Sequence, residues 1–205
     1  MIVTYHGESC LKIQYGDFIL AYNPPKKTTD GKVPRFGANV VLVSTHTDTT
    51  NGPENMEYGQ TVPFVIDGPG NYEITGLSIE GFGASVTIGK EEYINTVYRM
   101  NLDGMSLVFL GLATDETLNP EFRGKIGTCD IIFVPIGHDG LTNQMAYKMA
   151  IGSDASLIIP IGSDESKIKS FLKEAGQEKV TSIDKLTVKK KDLAGKEGEV
   201  VLLNS

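Results

Sequence analysis

The feature that most constrains this chain is an apolar segment that gives way abruptly to a polar one. Val40–Val43 consists of hydrophobic, mainly β-branched residues, and every residue of the segment Ser44–Asn51 that follows it is polar. A short apolar run of this kind, bounded by polar residues, is typical of a buried strand. We therefore predict that Val40–Val43 is a buried strand that delivers the polar loop to the edge of a sheet.

Strand character recurs through the first two-thirds of the chain. The predicted strands are Leu11–Gln14, Phe18–Ala21, Phe64–Ile66, Leu77–Ile79, Thr96–Met100, Leu107–Leu110 and Ile131–Pro135. Asp103-Gly104 predicts a hairpin turn, because both central residues of a type I′ turn need positive φ. Residues 67–70 predict a second turn. We interpret Gly81–Ser85 as a flexible turn, since it lacks the Lys-Ser/Thr of a phosphate-binding loop.

Two amphipathic helices are predicted in the last third. One face of the first carries Leu141, Met145, Ala146 and Met149, and one face of the second carries Ile168, Phe171, Leu172 and Ala175. We expect Gly176 to cap the second helix at its C-terminus, and a short strand, Leu157–Pro160, to lie between the two. Leu186–Lys190 and Glu199–Leu203, joined by Asp192–Gly198, predict a terminal hairpin. This order indicates sheets sandwiched between helical layers in one domain, residues 1–205.

Composition excludes several classes of function. The chain has 19 Lys and Arg residues against 26 Asp and Glu, a net charge of −7 that argues against nucleic-acid or anionic-membrane binding. We see no secretory signal and no apolar run long enough to cross a bilayer, and we expect a cytoplasmic protein. Cys10 and Cys129 lie in apolar settings and are expected to be buried, unreactive thiols.

Several segments together resemble a known family. They are Tyr5–Cys10, Asn23-Pro24, Phe64–Glu73, Asn95-Thr96, Leu110-Gly111, Asp130–Gly137 and Ile158–Pro160. Their order is similar to that of the metallo-β-lactamase superfamily, most closely its compact branch of ascorbate-phosphate-lactonase-like metal-dependent hydrolases. The resemblance implies an α/β fold, the four-layer αββα sandwich, and hydrolysis at one or two divalent metal ions.

The metal ligands of that family are replaced in this chain. The family's loop is Ser-His-x-His-x-Asp-His, and Ser44 and Asn51 fix its register here. The four ligand positions then fall on threonines: Thr45, Thr47, Thr49 and Thr50. A neutral hydroxyl is a poor ligand for a pair of dications, which are normally held by imidazole and carboxylate groups.

The other metal-binding motifs have changed in the same way. Glu8 stands where the family has the histidine of its opening Gly-His, and Asn23 replaces the aspartate of Asp-Pro. Leu112 takes the place of a bridging carboxylate, and Gly162 that of the histidine in the late Ile-Pro-x-His. Loss at every motif predicts a metal-free, hydrolytically inactive protein, with no catalytic residue and no cofactor, that acts as a binding or structural module.

The altered positions allow two interpretations. If the loops keep the family's geometry, Glu8, Asn23, Thr45 and Thr47 line a hydroxyl-rich cleft that suits a small polar ligand. Alternatively, these groups only satisfy one another's hydrogen bonds in a filled site. The sequence does not identify a natural partner. A homo-oligomer that packs through sheet edges or the terminal hairpin is a further possibility.

An enzymatic alternative also stays open. A shift of the loop register by one residue would place His46 and Asp48 in the first two ligand positions, and His138 follows a strand that ends at the same sheet edge. Together they would form a mononuclear site for a divalent metal such as zinc or manganese, and the protein would be a metal-dependent hydrolase.

Overall fold

The computed structural model describes residues 1–26, 31–115 and 117–205, and these residues form two β-sheets and three α-helices. In chain order the strands are β1 (Ile2–Tyr5), β2 (Leu11–Tyr15), β3 (Phe18–Tyr22), β4 (Val40–Leu42), β5 (Phe64–Ile66), β6 (Gly70–Ile74), β7 (Leu77–Ile88), β8 (Glu91–Leu102), β9 (Met105–Phe109), β10 (Ile131–Pro135), β11 (Leu157–Ile161), β12 (Leu186–Thr187) and β13 (Glu199–Val200). The helices are α1 (Pro120–Ile126), α2 (Asn143–Gly152) and α3 (Glu165–Glu174), and 3₁₀ turns cover Pro53–Met56 and Lys190–Leu193.

Both sheets are mixed. The first has the order β12-β1-β2-β3-β4-β5, in which β3, β4 and β5 are parallel. The second has the order β13-β11-β10-β9-β8-β7-β6, in which β9, β10, β11 and β13 are parallel. The loops that follow β4 and β9 begin at the carboxyl ends of parallel strands, one in each sheet. Here a hydrogen bond joins the two sheets: the amide of Thr96, in β8, donates to the carbonyl of Ser44, in the loop after β4 (2.7 Å).

Three apolar layers hold the sandwich together. The largest lies between the sheets, where the Phe109 and Phe133 rings stack with their centroids 4.5 Å apart. The second lies between the second sheet and the three helices and includes the buried Phe171. The third is small and packs Val41 and Val43 of the first sheet against Met56 of the 3₁₀ turn. The predicted αββα sandwich is thus confirmed.

Local sequence explains several elements directly. Strands β10 and β11 are apolar and buried along their full length, as expected for parallel strands covered on both faces. Asp103 and Gly104 both have positive φ in the β8–β9 turn, as predicted. Asp164 is the N-cap of helix α3, and its side chain accepts from two backbone amides of the first turn. Gly176 (φ 65°) follows the last turn of the helix, which confirms the predicted C-terminal cap.

The terminal hairpin prediction was wrong. Strand β12 pairs antiparallel with β1 in the first sheet, and β13 pairs parallel with β11 in the second. Val188 is buried in the core between the sheets, whereas Val200 is buried beneath the helices. Each short strand completes the edge of a larger sheet and buries an apolar residue in or beside it in a different core.

The interpretation of Gly81–Ser85 as a flexible turn was also wrong, because these residues lie inside β7. A Cβ atom at Gly81 would lie 2.9 Å from the Thr96 methyl group, and one at Gly83 would lie 3.0 Å from the Pro69 ring. The two glycines therefore allow residues 68–69 to cross closely over the strand.

Some elements had not been predicted at all. The short helix α1 has Pro120 in its first turn and an Asn119 cap that accepts from the Phe122 amide (2.9 Å). The edge strand β6 was not recognised either. None of the helices in the described parts of the chain combines the length and the apolar character that crossing a bilayer requires.

Both cysteines are free and buried, as predicted. Burial raises the pKa of each thiol to about 12, and for Cys129 the neighbouring Asp130 adds to the effect. The thiolate, which is the reactive form, is therefore suppressed at both positions.

Candidate functional site

The loop after β4 folds back on itself through its threonines. The Thr47 amide donates to the Thr45 carbonyl (2.9 Å), and the Thr50 amide donates to the Thr47 carbonyl (3.2 Å). The Thr47 hydroxyl contacts those of Thr50 (2.8 Å) and Thr49 (3.1 Å), and the Thr50 hydroxyl donates to the Thr45 carbonyl. Thr45 and Thr50 are buried. The hydroxyl groups are thus engaged within the loop.

The side chain of Asn95 connects this loop to the second sheet. Asn95 is fully buried on β8, and its Oδ1 accepts from the Thr45 hydroxyl (3.0 Å) and from the Leu112 amide (2.8 Å). Its Nδ2 donates to the Leu110 carbonyl (3.0 Å). One amide side chain therefore satisfies groups from the loop after β4 and from the loop after β9.

Asn23 plays a similar part on the first sheet. Its Nδ2 donates to the Ser44 hydroxyl (2.9 Å), and its Oδ1 accepts from the Ser44 amide (2.8 Å). Asn23 is fully buried and has φ 46°, a left-handed conformation that asparagine tolerates better than most residues. It fixes the start of the threonine loop to the end of β3.

Glu8 and Gly162 meet at Tyr5, apart from the Asn95 network. The Tyr5 hydroxyl donates to the Glu8 carbonyl (2.7 Å). Burial raises the pKa of Tyr5, the charge of Glu8 raises it further, and the backbone of Gly162 opposes the shift. Glu8 itself has φ 50°, so the turn between β1 and β2 is held in a left-handed conformation.

Gly162 has no room for a side chain. A Cβ atom at this position would lie 2.2 Å from the carbonyl oxygen of Ile136, which is a severe clash with the backbone. The neighbouring Ile136 amide donates to the Ile161 carbonyl (2.7 Å) and fixes the two segments together. A histidine ligand at this position would require the loops after β10 and β11 to separate.

The three residues of the alternative metal site, His46, Asp48 and His138, do not share a common environment. His46 Nε2 lies 2.9 Å from the Asp67 carbonyl and 3.5 Å from its carboxylate. Asp48 is exposed, and its carbonyl accepts from the Lys26 amide (2.8 Å). His138 is half-buried in the loop after β10, and its Nε2 atom is buried and makes no hydrogen bond with the described residues.

The described residues do not form a suitable site for the dications that the family resemblance implies. Residues 1–26, 31–115 and 117–205 contain no group of three His, Cys, Asp or Glu side chains placed to hold a metal ion, and the proposed trio of His46, Asp48 and His138 forms none. The inherited positions offer hydroxyls already engaged in hydrogen bonds, a hydrocarbon side chain at Leu112 and no side chain at Gly162.

Sequence reasoning had located the threonine loop and Asn23 but had given no role to three other residues. Asn95 appeared only as part of a family motif. Tyr5 likewise appeared only as the first residue of a family motif, and Tyr98 only inside a predicted strand, although the Tyr98 hydroxyl donates to the Val43 carbonyl (2.8 Å) at the end of β4. Burial raises the pKa of Tyr98, so it remains a neutral donor. An amide between Ile94 and Thr96, in a segment with strand character, was the available signal for Asn95.

Comparison with known proteins identifies one matching family model and several solved structures with a similar fold. The model of the family described as beta-lactamase superfamily domain matches residues 2–162. A Thermotoga maritima structure, assigned as a zinc-dependent hydrolase of the metallo-β-lactamase superfamily, superimposes with a TM-score of 0.74 at 22% identity, covering 98% of this chain and 97% of that one. No curated protein sequence matches significantly.

Two further structures show the same fold at lower identity. A Parabacteroides distasonis protein assigned as a metal-dependent hydrolase has a TM-score of 0.67 at 16% identity, covering 98% of this chain and 93% of that one. A metallohydrolase from the archaeon Ignicoccus hospitalis has a TM-score of 0.64 at 16% identity, covering 92% and 99% respectively. Resemblance at these identities establishes the fold alone.

We predict that Asn95→Ala destabilises the protein by about 1–3 kcal/mol, because it removes the partner of the Leu112 amide and one partner each of the Leu110 carbonyl and the Thr45 hydroxyl. Urea unfolding followed by circular dichroism measures the change. Asn101→Ala, at an exposed position of the same strand, is the matched control and should cost less than about 0.5 kcal/mol. Equal losses for the two variants would contradict the role given to Asn95.

We predict that Gly162→Ala costs about 2–3 kcal/mol, since the added methyl group meets the Ile136 carbonyl and the backbone must shift. Gly152→Ala is the control, because a Cβ atom at Gly152 meets no atom within 4 Å. Thermal unfolding of both variants measures the difference. A Gly162→Ala protein as stable as the control would show that the loops after β10 and β11 separate easily.

The pH dependence of stability should report on His138. Burial lowers the pKa of His138, and hydrogen bonds involving the backbone of Asp139 and Ala113 oppose this only in part. The unfolded chain therefore binds a proton from about pH 6.5 downward that the folded protein does not, and the free energy of unfolding falls as the pH is lowered from 7 towards 5.

His138→Asn should make the decline in unfolding free energy between pH 7 and pH 5 less steep. His6 contributes in the same direction, because burial also lowers its pKa, so part of the slope will remain. His46→Asn, at an exposed histidine, is the matched control. Urea titrations at several pH values measure the slopes, and an unchanged slope in His138→Asn would contradict the assignment.

Proposed function

Because the chain belongs to the family of beta-lactamase superfamily domains, and its inherited ligand positions hold groups that bind dications poorly, we propose that it is a hydrolytically inactive member of that family. In its metal-dependent relatives the metal polarises the scissile group and lowers the pKa of a bound water. In this chain the corresponding loop is closed by neutral hydrogen bonds. We propose that the protein acts as a binding or structural module.

The Asn95 network is the main support for this proposal. In a metal site the loops from the two sheets are drawn together by ligands around a shared ion. Here the Asn95 amide joins the threonine loop to Leu110 and Leu112 with three hydrogen bonds of 2.8–3.0 Å. The loops are therefore held in place by groups that need no metal and can lower no water pKa.

The same network favours a filled site over an open polar cleft. Thr45 and Thr50 are buried and their hydroxyls already have partners, so a small polar ligand would have to displace internal hydrogen bonds to reach them. Such an exchange brings little net free energy, because a typical hydrogen bond contributes only about 1 kcal/mol. We therefore propose that binding takes place on another surface of the module.

Metal analysis tests the proposed inactivity. We expect protein purified without chelator or histidine tag to contain far less than one zinc, manganese or iron ion per chain by mass spectrometry. We also expect an unfolding temperature that EDTA does not change, because no metal contributes to the folded state. A metal-loaded hydrolase of the same fold, treated in parallel, is the positive control.

Stoichiometric metal that survives dialysis would overturn the proposal. In that case His46→Ala, Asp48→Ala and His138→Ala variants identify the site, since a relocated mononuclear centre would lose its metal with each substitution. The proposal would also be overturned by turnover of phosphodiester, lactone or thioester substrates that rises with added zinc or manganese.

A further inference from the structure

The second half of strand β7 has an unpaired edge. Strand β6 pairs with β7 only from Leu77 to Gly81, whereas β8 pairs with it as far as Ile88. Among the residues that the structure describes, no strand lies along the outer edge from Phe82 to Ile88. Alternate residues of a strand direct their N–H and C=O groups to the same edge, so this segment presents unpaired backbone groups to solvent.

This edge lacks the usual protection against pairing with another chain. Segment Phe82–Ile88 contains no charged residue and no proline. The other free edges are better guarded: Pro63 precedes the short β5, Glu73 lies within β6, and β12 and β13 have two residues each. Charged residues, prolines and short strands are the common means of blocking edge-to-edge association. The β7 edge is therefore open to strand addition.

A groove of about 620 Å³ lies against the face of the same hairpin. It is lined by His46, Asp67, Gly68, Pro69, Gly83, Glu92, Tyr93 and Ile94. The side chain of Ile94 pairs across the strands with Ser85, and Glu92 pairs with Thr87, so both lie on the face that carries Gly83. Ile94 is 54% exposed although it is a large apolar residue. An apolar floor is thus available beside the open edge.

The rim of the groove is acidic. Asp67 and Glu92 line it directly. The Tyr93 hydroxyl donates to the Glu91 carboxylate (2.5 Å), and this hydrogen bond raises the pKa of Tyr93, with a further contribution from the charge of Asp48. Asp67 and Glu92 are therefore the carboxylates of the groove, whereas Glu91 pairs across the strands with Ile88 and lies on the opposite face of the hairpin. His46, the one basic side chain among the described lining residues, is already in contact with Asp67.

We propose that the Phe82–Ile88 edge and the acidic groove together bind an extended segment of a partner protein in which basic and apolar residues alternate. The partner's backbone would pair with β7 as an added strand. Side chains of an added strand alternate between the two faces of the sheet, so its basic residues would meet the carboxylates on the groove face. The side chains of the edge and the groove take no part in the hydrogen bonds of Asn95, and the proposal rests on the β7 edge and the groove carboxylates, not on the absence of a metal.

Charge decides between a partner segment and a second copy of this chain. A second copy would bring a second Asp67 and a second Glu92 to the same surface, and each chain carries a net charge of −7. Like charges placed opposite each other across strands are destabilising, whereas opposite charges are favourable. The acidic rim therefore selects a basic strand.

The test uses short synthetic peptides. We expect a fluorescent peptide of alternating lysine and valine to bind the full-length protein in an anisotropy titration, with an affinity that falls as salt is raised. A peptide of alternating glutamate and valine should bind at least about tenfold more weakly, a difference of 1.4 kcal/mol. Hydrogen exchange should show new protection at residues 82–88 when the basic peptide is bound.

Two variants locate the site. Thr87→Lys places a lysine on the edge opposite Glu92, where it should preserve the fold as a cross-strand ion pair and repel the basic peptide. Asp67→Asn/Glu92→Gln, which removes both groove carboxylates, should weaken binding by roughly three- to tenfold, because an exposed ion pair contributes up to about 1 kcal/mol. Glu165→Gln/Glu174→Gln, on the exposed surface of α3, changes the net charge equally and should leave binding unchanged.

Three results would overturn the proposal. The first is equal binding, or no binding, of the two alternating peptides. The second is loss of affinity in the α3 control variant as large as that in Asp67→Asn/Glu92→Gln. The third is a dimer of the protein alone, detected by light scattering, that Thr87→Lys dissociates, since this would identify a second copy as the occupant of the edge. Metal analysis is unaffected by any of these results.

Discussion

The hydrogen bonds of one buried amide, that of Asn95, hold together the end of the sandwich where the family's ligand positions lie. The two sheets share an apolar core, whereas the polar loops at this end are joined by hydrogen bonds. Asn95 satisfies Thr45 from the first sheet and Leu110 and Leu112 from the second. A buried polar group without a partner costs about 1–3 kcal/mol, so removing the amide affects all three partners at once.

The hydrogen-bonded threonine loop differs from a metal centre in its charge. Two dications require several anionic or imidazole ligands, because an unbalanced charge in a partly buried site is strongly unfavourable. Neutral hydroxyls and amides need only one another, and the threonines after β4 use one another in this way. Each replacement alone would leave a damaged metal site, whereas the threonines, Asn23 and Leu112 together form a consistent neutral group, from which the charged Glu8 lies apart, beside Tyr5. Leu112 fits this state, since an apolar side chain beside neutral hydrogen bonds carries no electrostatic penalty.

The fold was predictable from sequence wherever the signal was local. Apolar runs such as β10 and the Asp103-Gly104 turn specify their own conformation. The sequence did not predict which strands β12 and β13 pair with. These strands have two residues each, and their pairing depends on which sheet edge is free and not on their own residues. The threonine positions followed from the family register, but the role of Asn95 depends on a contact with Thr45, fifty positions away, which no local pattern encodes.

The acidic rim around the open edge of β7 has a physical consequence of its own. An uncharged edge segment such as Phe82–Ile88 is prone to pair with identical segments of other copies, which leads to aggregation. Charges directly on the strand would prevent this but would also block every other partner. Carboxylates placed on the adjoining strand and loop, at Glu92 and Asp67, repel a second acidic copy while leaving the backbone groups of the edge accessible. Selectivity then comes from the difference in charge between the copies and a basic strand, and the edge can stay open without causing self-association.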